Sequence, residues 1–577
     1  MKYVALLSGG KDSCYNLLHC NQNGHQLVSA ASLGPEPGKE ELDSYMYQTV
    51  GQDAIELVAR ALDVPLYRKT ISGQAIEQGS EYGARNSGSG ITGDETEDLY
   101  ALLSTVKFHH PDIEGVSVGA ILSNYQRVRV EHVCRRLSLS PLCYLWQRDQ
   151  GELMTEMITA GMESILIKVA GIGLTAEHLG RTLAEMEHTF IKLNDLYGAH
   201  ICGEGGEYET LTLDCPLFKQ RIVLRDVETV IHSDNAFASV AFLRIKDAVL
   251  QDKSTSVPPV IRVPQLLDET FTSVRHDISL REANSKERHI TSTPTPSFTL
   301  NYRARSGKLG SWVSIANIYS GISDISVEEE VKQCFTILRD ELAQYSLDLI
   351  DCTNINIFLS SMDLFSAVNT IYGTFFGTSP PARACVAVVL PAPRRVMLDC
   401  MAHSGSTDRR ALHVQSLSYW APANIGPYSQ AVLVDELIFV SGQIGLIPSS
   451  LSLPSPQSLA LETALALQHV SRVASALSTS TGAWIGHTQL ALYWLANIAD
   501  LPDVKRGHVA LESTDTAPTL FLVVESLPKN ALVEKQVLMH TGRVSVPDED
   551  DDGELVVQNR TPNFKQGISG LSSVWLV

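Results

Sequence analysis

Six residues near the start of the chain, Ser8-Gly9-Gly10-Lys11-Asp12-Ser13, have the types and the spacing to hold a phosphate. Gly9 and Gly10 lack a Cβ, so the backbone turns sharply there and presents successive N–H groups to an anion. Lys11 adds a mobile positive charge, and the hydroxyls of Ser8 and Ser13 donate hydrogen bonds. The spacing is not that of the GxxxxGK[ST] phosphate loop, which needs more residues between its glycines and its lysine. The plain alternative is a tight Gly-Gly turn with Asp12 as a helix cap.

The flanking elements bear on that choice. Lys2 to Leu7 is an apolar run of strand length and helical periodicity begins at Asp12, so the loop joins a strand to a helix whose positive dipole end faces it. Further strands are expected at Leu27–Leu33, Pro65–Ile71, Gly115–Ile121, Leu142–Trp146 and Ser164–Ala170. Helices are expected at Asp12–Asn23, Tyr45–Leu62, Asp94–Phe108, Asn124–Leu137 and Ala176–Leu196. This alternation predicts an α/β domain over residues 1–249, with a parallel sheet, helices on both faces and a ligand site at the carboxyl ends of the strands.

Residues 250–305 are rich in Pro, Ser and Thr and read as a linker. Residues 306–404 and 417–545 follow a similar order of strands and helices, which indicates two α+β domains from a diverged duplication, joined by residues 405–416. The tail, 546–577, opens with acidic residues and is expected to lack structure.

At 577 residues the chain exceeds one core, and its formal net charge of -20 opposes stable nucleic-acid binding or residence on an anionic membrane. No leader-like segment precedes Ser8 and no apolar stretch is long enough to span a bilayer. Ten cysteines without a C-x-x-C pair suit reduced thiols, and the expected compartment is the cytoplasm.

SGGKDS between a strand and a helix resembles the PP-loop of the N-type ATP pyrophosphatases, whose domain is HUP-like. The resemblance implies that Ser8, Gly9, Gly10, Lys11, Asp12 and Ser13 bind ATP, that Lys11, Asp12 and Ser13 serve the reaction, and that Asp12 contacts Mg2+. Five further blocks narrow it: "YQTVGQDAIELVARALDVPLYR", "GDETEDLYALL", "GVSVGAILSNYQRVRVEHVCRRL", "PLCYLWQRDQ" and "CGEGGEYETLTLDCPLF". Together they resemble the diphthine–ammonia ligases, which amidate diphthine on translation elongation factor two with ATP and ammonium through an acyl-adenylate.

In that reading Gly119 lets the backbone approach the nucleotide, and Ser123, Tyr125 and Arg127 offer donors to it, with Arg129 a weaker candidate. The plain alternative for this stretch is a capped helix with an exposed arginine face. Glu204, Gly205, Gly206, Glu207, Tyr208 and Glu209, with Trp146, would recognise the trimethylammonium of diphthine by negative charge and ring faces. A solvent-facing acidic hairpin is the alternative there. Asp94 and Glu97 would orient ammonium or Mg2+, or merely favour a helix dipole.

The stretches "VNTIYGTFFGTSPPARACVAVVLP" in the first C-terminal repeat and "APANIGPYSQAV" in the second resemble the Rid/YjgF family of imine deaminases, which form trimers with sites at subunit interfaces. Arg383 falls on the family's carboxylate-binding arginine, Asp399 near its catalytic glutamate, and Tyr428 and Ser429 on site positions of the second repeat. Thr519 stands where that repeat should carry the arginine, with Gln536 near the glutamate. The expectation is a degenerate scaffold that oligomerises or docks the elongation factor. The alternative is one hybrid site built from Arg383 and Tyr428. For the whole chain, a tRNA-modifying PP-loop enzyme and a non-catalytic ATP-binding scaffold stay open.

Overall fold

Five parallel strands, β1 (Lys2–Leu6), β2 (Gln26–Gly34), β3 (Leu66–Thr70), β4 (Gly115–Ser117) and β5 (Ser140–Leu142), lie in the order β3-β2-β1-β4-β5. Tyr3, Val4 and Ala5 bury the centre of β1, and helices α1 (Lys11–Gln22), α2 (Ile55–Ala61), α3 (Glu95–His109) and α4 (Asn124–Arg136) join the strands. The strand order reverses at β1, which opens a crevice at its carboxyl end. This computed structural model describes residues 1–35, 54–79, 81–84, 88–235, 238–253, 260–282, 304–405, 409–511, 517–547 and 555–559. The first part of the helix expected at Tyr45–Leu62 falls outside them, and α2 is its end.

Two expected strands differ. The apolar run Leu142–Trp146 leaves the sheet at Leu142, and Tyr144, Leu145 and Trp146 are buried in a turn that ends at Gln147, with φ +58°. An apolar run of that length reports burial, not extension. After α5 (Gln150–Thr159), β6 (Glu163–Ala170) does not extend the parallel sheet. Helix α6 (Leu183–Tyr197) follows it, and it pairs antiparallel with β7 (Tyr208–Asp214) and β9 (Ala238–Asp252), while β8 (Gln220–Asn235) completes a four-stranded sheet in the order β7-β6-β9-β8.

The chain divides into two compact units, the first comprising Met1–Ala84, Gly88–Pro264 and Gln415–Trp420. In this unit Leu417 lies beside β5, donating to Pro141 O at 2.9 Å and accepting from Cys143 N at 2.8 Å.

The second unit begins with α7 (Glu269–Glu282), inside the stretch read as linker. Leu267, Phe271, Val274 and Ile278 recur at helical spacing and bury against an apolar cluster that includes Leu459 and Val504. Then come β10 (Arg305–Leu309), β11 (Trp312–Ile318), α8 (Val327–Ala343), β12 (Cys352–Leu359), α9 (Phe365–Tyr372), β13 (Cys385–Ala387) and β14 (Val396–His403), in a sheet ordered β10-β11-β14-β12-β13. The second repeat has β15 (Arg410–Leu412), β16 (Ala431–Val434), β17 (Leu437–Ile444), α10 (Leu459–Ser480), β18 (His487–Leu495), α11 (Leu501–Leu511), β19 (Thr519–Val523) and β20 (Val533–His540), ordered β15-β16-β17-β20-β18-β19. Each sheet is antiparallel save one parallel pair, β12 with β13 and β18 with β19, as a duplication requires. Beyond it β21 (Arg543–Pro547) pairs with β22 (Leu555–Asn559), a hairpin that reaches into the expected tail.

Candidate functional site

Gly9 turns the chain after β1 with φ +79°, and its carbonyl accepts from Thr212 N at 2.9 Å. Helix α1 begins at Lys11 with Gly10 as N-cap and no capping side chain, so Asp12 is not a cap and its carboxylate is available for other work. Ser8 Oγ accepts from Gly10 N at 3.3 Å and lies 3.3 Å from Ser13 Oγ. Lys11 is 3% exposed; its ammonium donates to Asp12 Oδ2 at 2.7 Å and to the Cys202 carbonyl. Burial opposes its charge, but Asp12, Cys202 and Glu204 outweigh burial and raise its pKa. Burial also raises the Asp12 carboxyl, opposed by Lys11 and reinforced by Glu204. Among the described residues Asp12 Oδ1 is buried without a hydrogen-bond partner, and such an oxygen is what a hard cation needs.

A cavity of about 330 Å³ opens over this loop. Ser8, Lys11, Asp12 and Ser13 form its floor, with Ser32 and Leu33 from β2, Gly119 from the segment after β4, and Glu204, Gly206, Tyr208 and Glu209 also lining it. A Cβ on Gly119 would stand 2.6 Å from Ser13 N and 2.7 Å from the Asp12 carbonyl carbon, so only glycine allows this approach.

Helix α4 turns a different face to the cavity than expected. Gln126 and Val130 line it, whereas Tyr125, Arg127 and Arg129 do not. Residues four apart share a helix face, and the next face, Arg127 with Glu131, turns into the fold. Arg127 is buried, 2.6 Å from Glu131 Oε2 and 5.1 Å over the Trp146 ring. Glu131 Oε1 accepts from Gln415 N at 3.0 Å, and from Ser416 N at 3.1 Å and Ser416 Oγ at 2.5 Å. Arg129 stacks 3.3 Å over Tyr125, whose hydroxyl donates to Glu95 at 3.1 Å, and Ser123 caps α4. Asp94 caps α3 through Thr96 N at 2.9 Å, and Glu97 pairs with Arg136 at 2.7 Å; neither lines the cavity.

The acidic turn is split likewise. Gly203 and Gly206, with φ +76° and +83°, bend it so that Glu204 faces the cavity while its Oε2 accepts from Leu122 N at 3.1 Å. Glu209 also lines the cavity and pairs with Lys168 at 3.3 Å. Glu207 is buried behind them, accepting from His200 N at 2.7 Å, and Gly205 leaves no room for a Cβ, which would stand 2.7 Å from Glu207 Oε1. Tyr208 stacks on Phe190 at 4.4 Å, with Lys11 5.3 Å from its centroid, and donates to Ile201 O at 2.6 Å. Trp146 is buried under Arg127, away from the lining.

Reading by motif missed Ser32 and Gln126, which line the cavity, whereas His200 lies outside the lining and braces the acidic turn. Its Nδ1 accepts from Cys202 N at 3.1 Å and burial lowers its pKa, so the neutral ring carries its proton on Nε2, which is buried without a partner among the described residues. Its position just outside the Gly-Glu string left it without a sequence signal.

In the second unit, Arg383 and Tyr428 come together, and the acid beside them is Glu534. The guanidinium is 4.9 Å from the Tyr372 centroid and 5.1 Å from that of Tyr428, and both its terminal nitrogens are buried without hydrogen-bond partners among the described residues. Burial raises Glu534 to about 8 against the pull of Arg383. A Cβ on Gly442 would lie 1.6 Å from Glu534 Oε1, and one on Gly426 2.4 Å from Arg383 Nη2. Gln536 instead bonds Asn354 and Asn356, at 3.3 and 2.9 Å, and Asp399 accepts from Asn317 N at 2.9 Å.

Residues 1–141 match the Diphthamide synthase N-terminal domain and residues 149–248 the Diphthamide synthase C-terminal domain. Residues 306–402 and 419–540 match Endoribonuclease L-PSP. The chain is 42% identical over 556 residues to the diphthine–ammonia ligase of Schizosaccharomyces pombe, covering 95% of this chain and 89% of that one. It is 54% identical over 262 residues to the diphthine–ammonia ligase of Homo sapiens, covering 45% of this chain and 96% of that one. A RutC family protein of Sinorhizobium fredii is 30% identical over 119 residues, 21% of this chain and 90% of that one.

Proposed function

The chain belongs to the diphthamide synthase family, and on that premise we propose how its first unit performs the diphthine–ammonia ligase reaction. Diphthine on translation elongation factor two, ATP and ammonia become the primary amide, AMP and pyrophosphate. A diphthine carboxylate oxygen attacks the α-phosphorus, the bond to the β-phosphate oxygen breaks, and pyrophosphate leaves. Ammonia then attacks the acyl carbon, AMP departs with the carboxylate oxygen, and the nitrogen loses a proton to solvent. The observation that carries this reading is Lys11, nearly buried at the head of α1 and lining the cavity with Ser8, Asp12 and Ser13.

Gly9, Gly10 and the start of α1 bind the leaving phosphates, and Lys11 turns from Asp12 to neutralise them. Asp12, through its unpartnered Oδ1, would hold Mg2+, which when bound offsets phosphate charge. Glu204 and Glu209, open to the cavity, attract ammonium and the trimethylammonium of diphthine. Phe190 stacks on Tyr208, so the carboxylates carry that recognition, with Glu207 bracing the turn behind them through His200 N. Ten unpaired cysteines, all buried, agree with a cytoplasmic setting. Among the described residues no helix is long and apolar enough to cross a membrane.

Pyrophosphate release from ATP, Mg2+ and ammonium is expected to require diphthine-bearing elongation factor two. Equal release without it, or with tRNA in its place, would overturn the assignment.

A second reading concerns the other unit, where Arg383, Tyr428 and Glu534 support the hybrid Rid-like site over the degenerate scaffold. Unpartnered guanidinium nitrogens suit a substrate carboxylate, and a protonated Glu534 supplies an acid beside it. Water adds to the imine carbon and ammonia leaves. Arg383→Ala is expected to lower ammonia release from a 2-imino acid at least tenfold; unchanged release returns the unit to a scaffold.

A further inference from the structure

A different cavity in the second unit, of about 300 Å³, carries an acid in its lining rather than an arginine. Phe358, Met397, Leu492 and Trp494 form part of its largely apolar wall, and among the described residues Asp399 from β14 is the one acid in its lining. Asp399 Oδ1 accepts from Asn317 N at 2.9 Å, at a bulge in β11 where Asn317 has φ +59°. That cap uses one oxygen and no charge, and an asparagine would serve it without desolvating an ion. Among the described residues Asp399 has no ion pair. Burial raises its pKa to about 6, opposed only by the Asn317 bond. An ionised carboxylate left without a counter-ion in apolar surroundings is costly unless a cation joins it. Phe358 and Trp494, edge to face at 6.3 Å, add ring surfaces that favour such a cation.

We infer that this cavity binds a small organic ammonium, its charged head on Asp399 and its apolar body against Phe358, Met397 and Trp494. This site is separate from the one at Arg383, which attracts anions, and the inference holds whether or not that site is catalytic.

The test titrates the full chain by calorimetry with phenethylammonium chloride and with 2-phenylethanol, a neutral molecule of similar shape. Saturable binding of the ammonium is expected, with the alcohol at least tenfold weaker. Asp399→Asn, which keeps an acceptor for Asn317, should weaken the ammonium at least tenfold. Leu492→Trp, which fills the cavity and keeps the carboxylate, should abolish binding while the chain stays folded by thermal melting. Equal binding of both probes, no saturable binding of phenethylammonium, or full affinity in the folded variants would overturn the site and leave Asp399 as a bulge cap.

Discussion

Lys11→Ala lowers pyrophosphate release about a hundredfold to a thousandfold, the loss expected when one preorganised charge is withdrawn from a transition state. The side chain lies at the head of α1, 3% exposed, where water screens little of its charge. Its present partners, Asp12 Oδ2 and the Cys202 carbonyl, hold it beside the place the phosphates must occupy. Alanine also leaves Asp12 without its cation, so a fall in activity could reflect local rearrangement. Lys11→Gln separates the causes, since it can still donate to Cys202 O but carries no charge. Single-turnover kinetics on both variants should show a comparable loss of kcat with thermal midpoints near the parent. Recovery of activity in Lys11→Gln would mean that the hydrogen bond, not the charge, does the work.

Gly119→Ala is expected to weaken ATP binding about a hundredfold, from one added methyl group. Its Cβ would meet backbone at Ser13 N and at the Asp12 carbonyl carbon, which cannot rotate away as a side chain could. The loop would be displaced by a large fraction of an ångström, and misplacement of that order costs about a factor of a hundred. Gly321→Ala is the control, because nothing lies within 4 Å of a Cβ there. Equilibrium binding of ATP checks both; parent affinity in Gly119→Ala would show that the approach after β4 does not shape the loop.

The turn from β1 into α1 was legible because its requirements are local. A strand, two glycines, a lysine and a helix start are contiguous in sequence, and the backbone cannot satisfy them in many ways. Other features depended on partners far away in the chain. Nothing in Glu163–Ala170 specifies that its neighbours are β7 and β9, since a buried strand reads alike in either sheet. Arg127 looked like a nucleotide ligand because its charge is visible in sequence, whereas its pairing with Glu131 depends on which face α4 buries. Gln536 and Glu534 lie two apart on β20 and so share a face, which a period of two cannot resolve; burial beside Arg383 does. Helix α7 was hidden by proline-rich flanks although its apolar stripe was present throughout.

The central claim is that a carboxylate of the protein substrate attacks ATP at the α-phosphorus in the cavity over Lys11. Labelling the diphthine carboxylate with oxygen-18 and recovering the products by mass spectrometry tests it most directly. One labelled oxygen should appear in AMP, one should remain in the amide, and pyrophosphate should be unlabelled. Label in inorganic phosphate with ADP as the nucleotide product would place the attack at the γ-phosphorus and contradict the account.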